Sequence, residues 1–161
     1  MVFDDRLVRG LFLVLALGSI TMASASDWEP ISTSADSYSS VDVQSLVRKG
    51  NVVTGWTKRT YDNPVPYTKD TSGTVTYQIV VSHEDWNCLE RSGRGLSMTY
   101  FGDLEEQTVI SNFHFPATEL REAVVPDSVG ETILNYVCKV TAPKKQLQRS
   151  KKASTPTAGN V

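Results

Sequence analysis

The chain has 161 residues, 40% of them hydrophobic and 21% charged, with a formal net charge of −2. That length suits one modest domain. There is no basic excess, and nucleic acid is not an expected partner.

The first 25 residues read as an export signal. Arg6 and Arg9 give a positive start, Leu11 to Leu17 is apolar throughout, and Ala23-Ser24-Ala25 supplies small residues for cleavage after Ala25. The apolar run is shorter than the about 20 residues a lasting anchor needs, and no other stretch reaches that length. The expected product is therefore extracytoplasmic, in the periplasm or on the outer cell surface, with no transmembrane anchor after cleavage. Residues 26–140 carry 16 acidic and 9 basic residues, whereas 141–161 carry Lys144, Lys145, Arg149, Lys151 and Lys152 and no acid. This tail reads either as a solvated, disordered segment or as a weak, salt-screened contact to anionic lipid or polymer.

Asp27 to Ser40 is polar and serine-rich, so an extended lead-in is expected. Lys49-Gly50-Asn51 is a turn signal between two apolar segments and predicts a hairpin. Val52, Thr54 and Trp56 share one face of its second strand. Tyr61 to Gly73 contains Pro64, Pro66 and Gly73 and reads as a long loop, a candidate binding loop. Thr74 to Ser82 alternates cleanly, with Val75, Tyr77, Ile79 and Val81 on the face expected to be buried. Leu89 to Phe101 predicts the next strand, with a bulge or bend near Gly93 and Gly95. Gly102-Asp103 starts a turn into Thr108 to Phe115, where Val109, Phe113 and Phe115 share a face.

The period then changes. Ser128 and Glu131 fit a capping box, and Ile133, Leu134 and Val137 form an apolar stripe opposite Glu131, Thr132, Asn135 and Lys139. This predicts a C-terminal helix packed on the sheet, with Gly130 allowing a close backbone approach. Cys88 and Cys138 are the two cysteines of the chain. An even count in an exported protein points to a disulfide between them. The expected fold is thus α+β: an antiparallel meander sheet with a C-terminal helix on one face and one helix-to-sheet disulfide.

Three groups are candidates for chemistry. His83-Glu84-Asp85 offers metal-ligand types, but a polar turn after a strand explains it as well. Arg91 and Arg94 suit a carboxylate or phosphate, or pairing with Glu84, Glu90 or similar acids. Trp28, Trp56 and Trp86 suit stacking on a ligand or packing in a core. No nucleophile elbow, phosphate loop or dinucleotide motif is present. No catalytic, cofactor-binding or metal residue is assigned, and the ligand-binding residues are left open.

Val41 to Trp56 resembles the opening strands of the bacterial surface-adhesin protein E family. So do Arg91 and Arg94 after a cysteine, and Val125-Pro-Asp-Ser before a helix ending in the second cysteine. The resemblance spans roughly Trp28 to Val140. It implies an exported, non-enzymatic binding domain with a protein partner, an antiparallel sheet and a helix joined to it by the disulfide. A structural envelope protein that contacts anionic material through its basic tail is the other reading.

Overall fold

The computed structural model describes residues 26–68 and 73–143. The expected signal segment and the basic residues of the tail lie outside them.

Long strands β4 (Val52–Thr68) and β5 (Thr74–Asn87) form the centre of the sheet. Around them the order is β1 (Trp28–Thr33), β2 (Ser37–Asp42), β4, β5, β6 (Ser92–Phe101) and β7 (Val109–His114). Every pairing is antiparallel, so the expected meander is present. Short strands β3 (Val47–Lys49) and β8 (Glu122–Ala123) add to β4 and β6. The hairpin predicted at Gly50 is formed by β3 and β4, and Gly50 adopts φ +62° at the turn.

Several expectations about the sheet differ from the structure. The serine-rich lead-in is a pair of strands, β1 and β2. Ser37, Ser39 and Ser40 are buried there; the Ser37 hydroxyl bonds to Ser34 and Asp36, and the Ser39 hydroxyl accepts from Arg59 Nε at 3.4 Å. The Tyr61–Gly73 loop is strand as far as Thr68. Beyond Asp62, whose amide donates to the Asp36 carbonyl at 2.9 Å, no described residue pairs with the β2 side of β4, so Pro64 and Pro66 sit on a free edge, where proline is tolerated. On β5 the alternation changes phase between Tyr77 and Val80, beside the register shift on β4. Val75 and Tyr77 lie on the helix-bearing face as expected. Farther along it is Val80, Ser82 and Trp86, rather than Ile79 and Val81, that turn to the helix. Both faces of that stretch are covered in part, which blurs the alternation. Finally, Val109 and Phe113 lie on opposite faces of β7, because an irregularity at Ile110 shifts the register. The bulge expected on β6 falls at Leu96, beside Gly95.

Helix α1 (Val129–Val140) starts as the capping box predicts. The Ser128 hydroxyl accepts from the Glu131 amide at 3.1 Å. Glu131 reaches back to the amide of Asp127, one residue earlier than in the standard box, at 2.8 Å. Ile133, Leu134 and Val137 bury against Val41, Val53 and Trp86. Gly130 is not a close-approach point, since a Cβ there would meet nothing nearer than 3.5 Å.

Covalent and ionic contacts hold α1 at one end of the sheet. Cys88 and Cys138 are bonded, with their Cα atoms 5.7 Å apart. Arg48 donates to the Cys138 carbonyl and the Thr141 hydroxyl, both at 3.3 Å, placing positive charge at the helix C-terminus. Replacing both cysteines by serine should lower the unfolding free energy by about 4 kcal/mol in the chain-entropy account of a closed loop of this size. Urea unfolding of the double variant beside the oxidised protein measures this, and equal midpoints would contradict it.

Candidate functional site

The three candidate groups from the sequence are dispersed. His83-Glu84-Asp85 is not a turn but part of β5, so its side chains alternate between faces. His83 stacks on Trp56 with ring centroids 4.6 Å apart. Asp85, 4% exposed, turns the same way and accepts from Arg94 Nε at 3.0 Å and from Arg121 Nε and Nη2 at 2.6 and 3.1 Å. Glu84 faces the helix side. The three therefore do not converge on one point.

The arginines are structural. Arg91 pairs with Glu131 and donates to Asn135 on α1. Arg94 couples Asp85 to the carbonyls of Ala117 and Glu119, which fastens the connection after β7 to the sheet. Of the tryptophans, Trp86 is core and Trp28 lies under the Lys58 ammonium, 4.2 Å from its ring centre. Trp56 stays half-exposed on its histidine.

The site lies where α1 begins. Twelve helical residues span about 18 Å, whereas the 17 residues of β4 span about 56 Å. The helix therefore covers only one end of its sheet face. The other end carries Tyr61, Tyr67, Tyr77, Tyr100 and Phe113. Their rings meet in a chain of mostly edge-to-face contacts, with centroids 4.9 to 6.3 Å apart. They come from four strands, and register explains their meeting: Tyr100 sits opposite Ser111, and Tyr67 opposite Val75.

Between this aromatic group and the first turns of α1 is a cavity of about 310 Å³. Its floor is polar, with Ser39, Thr57, Arg59, Ser82 and Glu84. Burial pushes the Glu84 carboxyl up to about 7, against smaller opposing effects of the Thr57 hydroxyl and the Arg59 charge. Tyr77 is pushed up to about 12, first by burial and then by Tyr61, so its phenol stays a neutral donor at physiological pH. Among the described residues no group of three or more His, Cys, Asp and Glu side chains is placed to hold a metal ion.

Sequence reading missed the cavity, because Glu84 was grouped with its chain neighbours rather than with the residues across the sheet. One signal was available. Tyr61 and Tyr67 lie in the segment read as a binding loop, and they do form part of the aromatic group, although from a strand.

The family description "Surface-adhesin protein E" matches residues 28–139. The chain belongs to the surface-adhesin protein E family. Among solved structures, Haemophilus influenzae protein E is similar at 12% identity, covering 73% of this chain and 87% of that one, with a TM-score of 0.49. A second crystal form of that protein gives 11% identity, 74% and 100% coverage, and 0.49. Protein E from non-typeable Haemophilus influenzae gives 13%, 83% and 93%, and 0.48. No curated protein matches. Membership in this adhesin family implies a non-enzymatic protein located at the cell surface or outside the cell. No helix among the described residues is long and apolar enough to cross a membrane.

Two stability predictions follow from the paired acids. The Glu84 carboxyl holds its proton more tightly in the folded state than at its ordinary value of 4.5. Its contribution to stability is therefore full below about 4.5 and is lost as pH rises through about 7, a change on the order of 3 kcal/mol. In Glu84→Gln this part of the slope disappears, and urea midpoints across that pH range measure it. Asp85→Ala strands two arginines and should cost about 3–5 kcal/mol at neutral pH. A loss below about 1 kcal/mol would show that the arginines find water instead.

Proposed function

We propose that residues 26–140 are an exported binding module of the adhesin type, and that the tyrosine end of the sheet meets its partner. The observation that carries this reading is the uncovered half of the helix-bearing face, where five aromatic rings stand together on paired strands. Large, stiff aromatic side chains give contact area with little loss of rotamer freedom, and they are enriched at interfaces. The partner class is protein. Residues 1–25 act as the export signal. Residues 141–161 act as an accessory tail whose five positive charges make weak, salt-sensitive contact with anionic lipid or polymer. No catalytic step is part of this function.

Crosslinking the protein in intact cells, then identifying what it holds, supplies the partner for the test. The Tyr67→Ser/Phe113→Ser variant should weaken capture about tenfold or more, as loss of two aromatic anchors does. Deletion of residues 141–161 should leave most of it. Capture that vanishes with the tail and survives the aromatic double variant would move the function to the tail and sink this reading.

A further inference from the structure

Glu84 is placed at a cost that the fold does not use. Its register neighbours on both adjacent strands are glycines, Gly55 on β4 and Gly95 on β6. The space beside each is taken by an apolar side chain. A Cβ on Gly55 would come 2.5 Å from Leu46 Cδ2, and one on Gly95 would come 3.0 Å from the Phe115 ring. Asp85, next along the chain, is gripped by two arginines. Among the described residues no ion pair reaches Glu84, whose carboxyl has the Thr57 hydroxyl as a partner. A carboxyl so surrounded destabilises the fold unless something else engages it. It lines the cavity, and the cavity is where a ligand can reach it.

The other groups facing that space narrow the chemistry. Arg59, on β4, is donor-only, and its Nε lies 3.4 Å from the Ser39 hydroxyl. Tyr61, Tyr77 and Tyr100 bring rings and phenol groups from β4, β5 and β6. Helix α1 contributes Gly130 and apolar residues, with no charge. The Lys58 ammonium is engaged elsewhere, by Glu106 and the Trp28 ring. An anionic ligand fits badly, because the cavity does not favour the charge of its own carboxylate. A cation meets Arg59 on the same face. A neutral ligand rich in hydroxyls fits both ends, since each hydroxyl donates and accepts while C–H faces lie on aromatic rings. At about 310 Å³ the cavity is at the small end of the roughly 300–1,000 Å³ range for ligand sites, so one ring enters rather than a chain.

We propose that this cavity binds the terminal neutral pyranose of a glycan carried by the protein partner, with Glu84 and Arg59 gripping its hydroxyls and the tyrosines stacking on it and on the residue that follows. The proposal rests on the tyrosine end being the binding surface, and it adds the ligand class.

The test is calorimetric titration of the purified protein with neutral methyl pyranosides (gluco, galacto and N-acetylgluco) and with oligosaccharides ending in the same sugars. Acetate and n-butylammonium serve as charged probes. At least one pyranoside should bind, and its oligosaccharide should bind at least as well. Glu84→Gln should weaken it about tenfold, the worth of one charge-assisted hydrogen bond. Because a diol donates to the carboxylate, affinity should rise with pH, about tenfold between pH 5.5 and 8.5. Gly130→Leu puts a longer side chain on the cavity wall from a position with room for a Cβ, and should also weaken binding.

Silence across the sugar panel with folded protein overturns the proposal. So does stronger binding of either charged probe, or pyranoside binding indifferent to both variants. A pyranoside that binds when its oligosaccharide does not would overturn the glycan assignment. Partner capture that depends on Tyr67 and Phe113 in a protein that binds no sugar overturns the ligand class alone and leaves the adhesin reading in place.

Discussion

A helix shorter than the sheet it covers is the constraint on which the rest of this structure depends. The Ile133, Leu134 and Val137 stripe meets Val41, Val53 and Trp86 at one end of β2, β4 and β5. Cys138 and Arg48 fix its C-terminal end, and Arg91 holds Glu131 and Asn135 nearer its start. Once its seat is set, the sheet beyond the helix must be finished by side chains alone. Tyrosines do this well, since each has an apolar ring to pack and a hydroxyl that tolerates water. The cavity is the seam between these two ways of covering one face.

The neighbouring acids Glu84 and Asp85 show how a strand separates chemistry that the chain keeps together. One peptide bond apart, they look onto different sides of the sheet. Asp85 is neutralised by Arg94 and Arg121, and the pairing fixes the long connection after β7. Glu84 has glycine on both flanks and titrates near neutrality. Two carboxyl groups with the same intrinsic chemistry thus have separate roles, one in holding the fold and one facing open space.

The helix was legible because its signals are local. A Ser128–Glu131 cap and a 3.6-residue stripe depend on residues within a few turns of one another. The meander and the disulfide were legible for a related reason, since turns at Gly50 and Gly102 and an even cysteine count need no tertiary information. The strands of Ser37–Asp42 and Tyr61–Thr68 were not. Serines and prolines have poor strand propensity, and what makes them strands here is burial under neighbours in one case and a free edge in the other. The site was least legible of all. Ser39, Arg59, Glu84 and Tyr100 come from four strands, and only the pairing register places them on one face.

The disulfide also has a mechanical meaning. It joins residues 50 apart in sequence, near the end of α1 and just after β5. A pull on the chain beyond Cys138 passes through the sulfur bridge to Cys88 and then along β5 and its pairing with β4. The intervening segment, with β6, β7, β8 and most of the helix, lies outside that load path. Tension applied from the C-terminal side therefore cannot peel the helix from its seat, as it would if only van der Waals contacts held it. A protein that grips something while its own chain is under strain would keep both walls of the cavity in place until the central strands themselves shear.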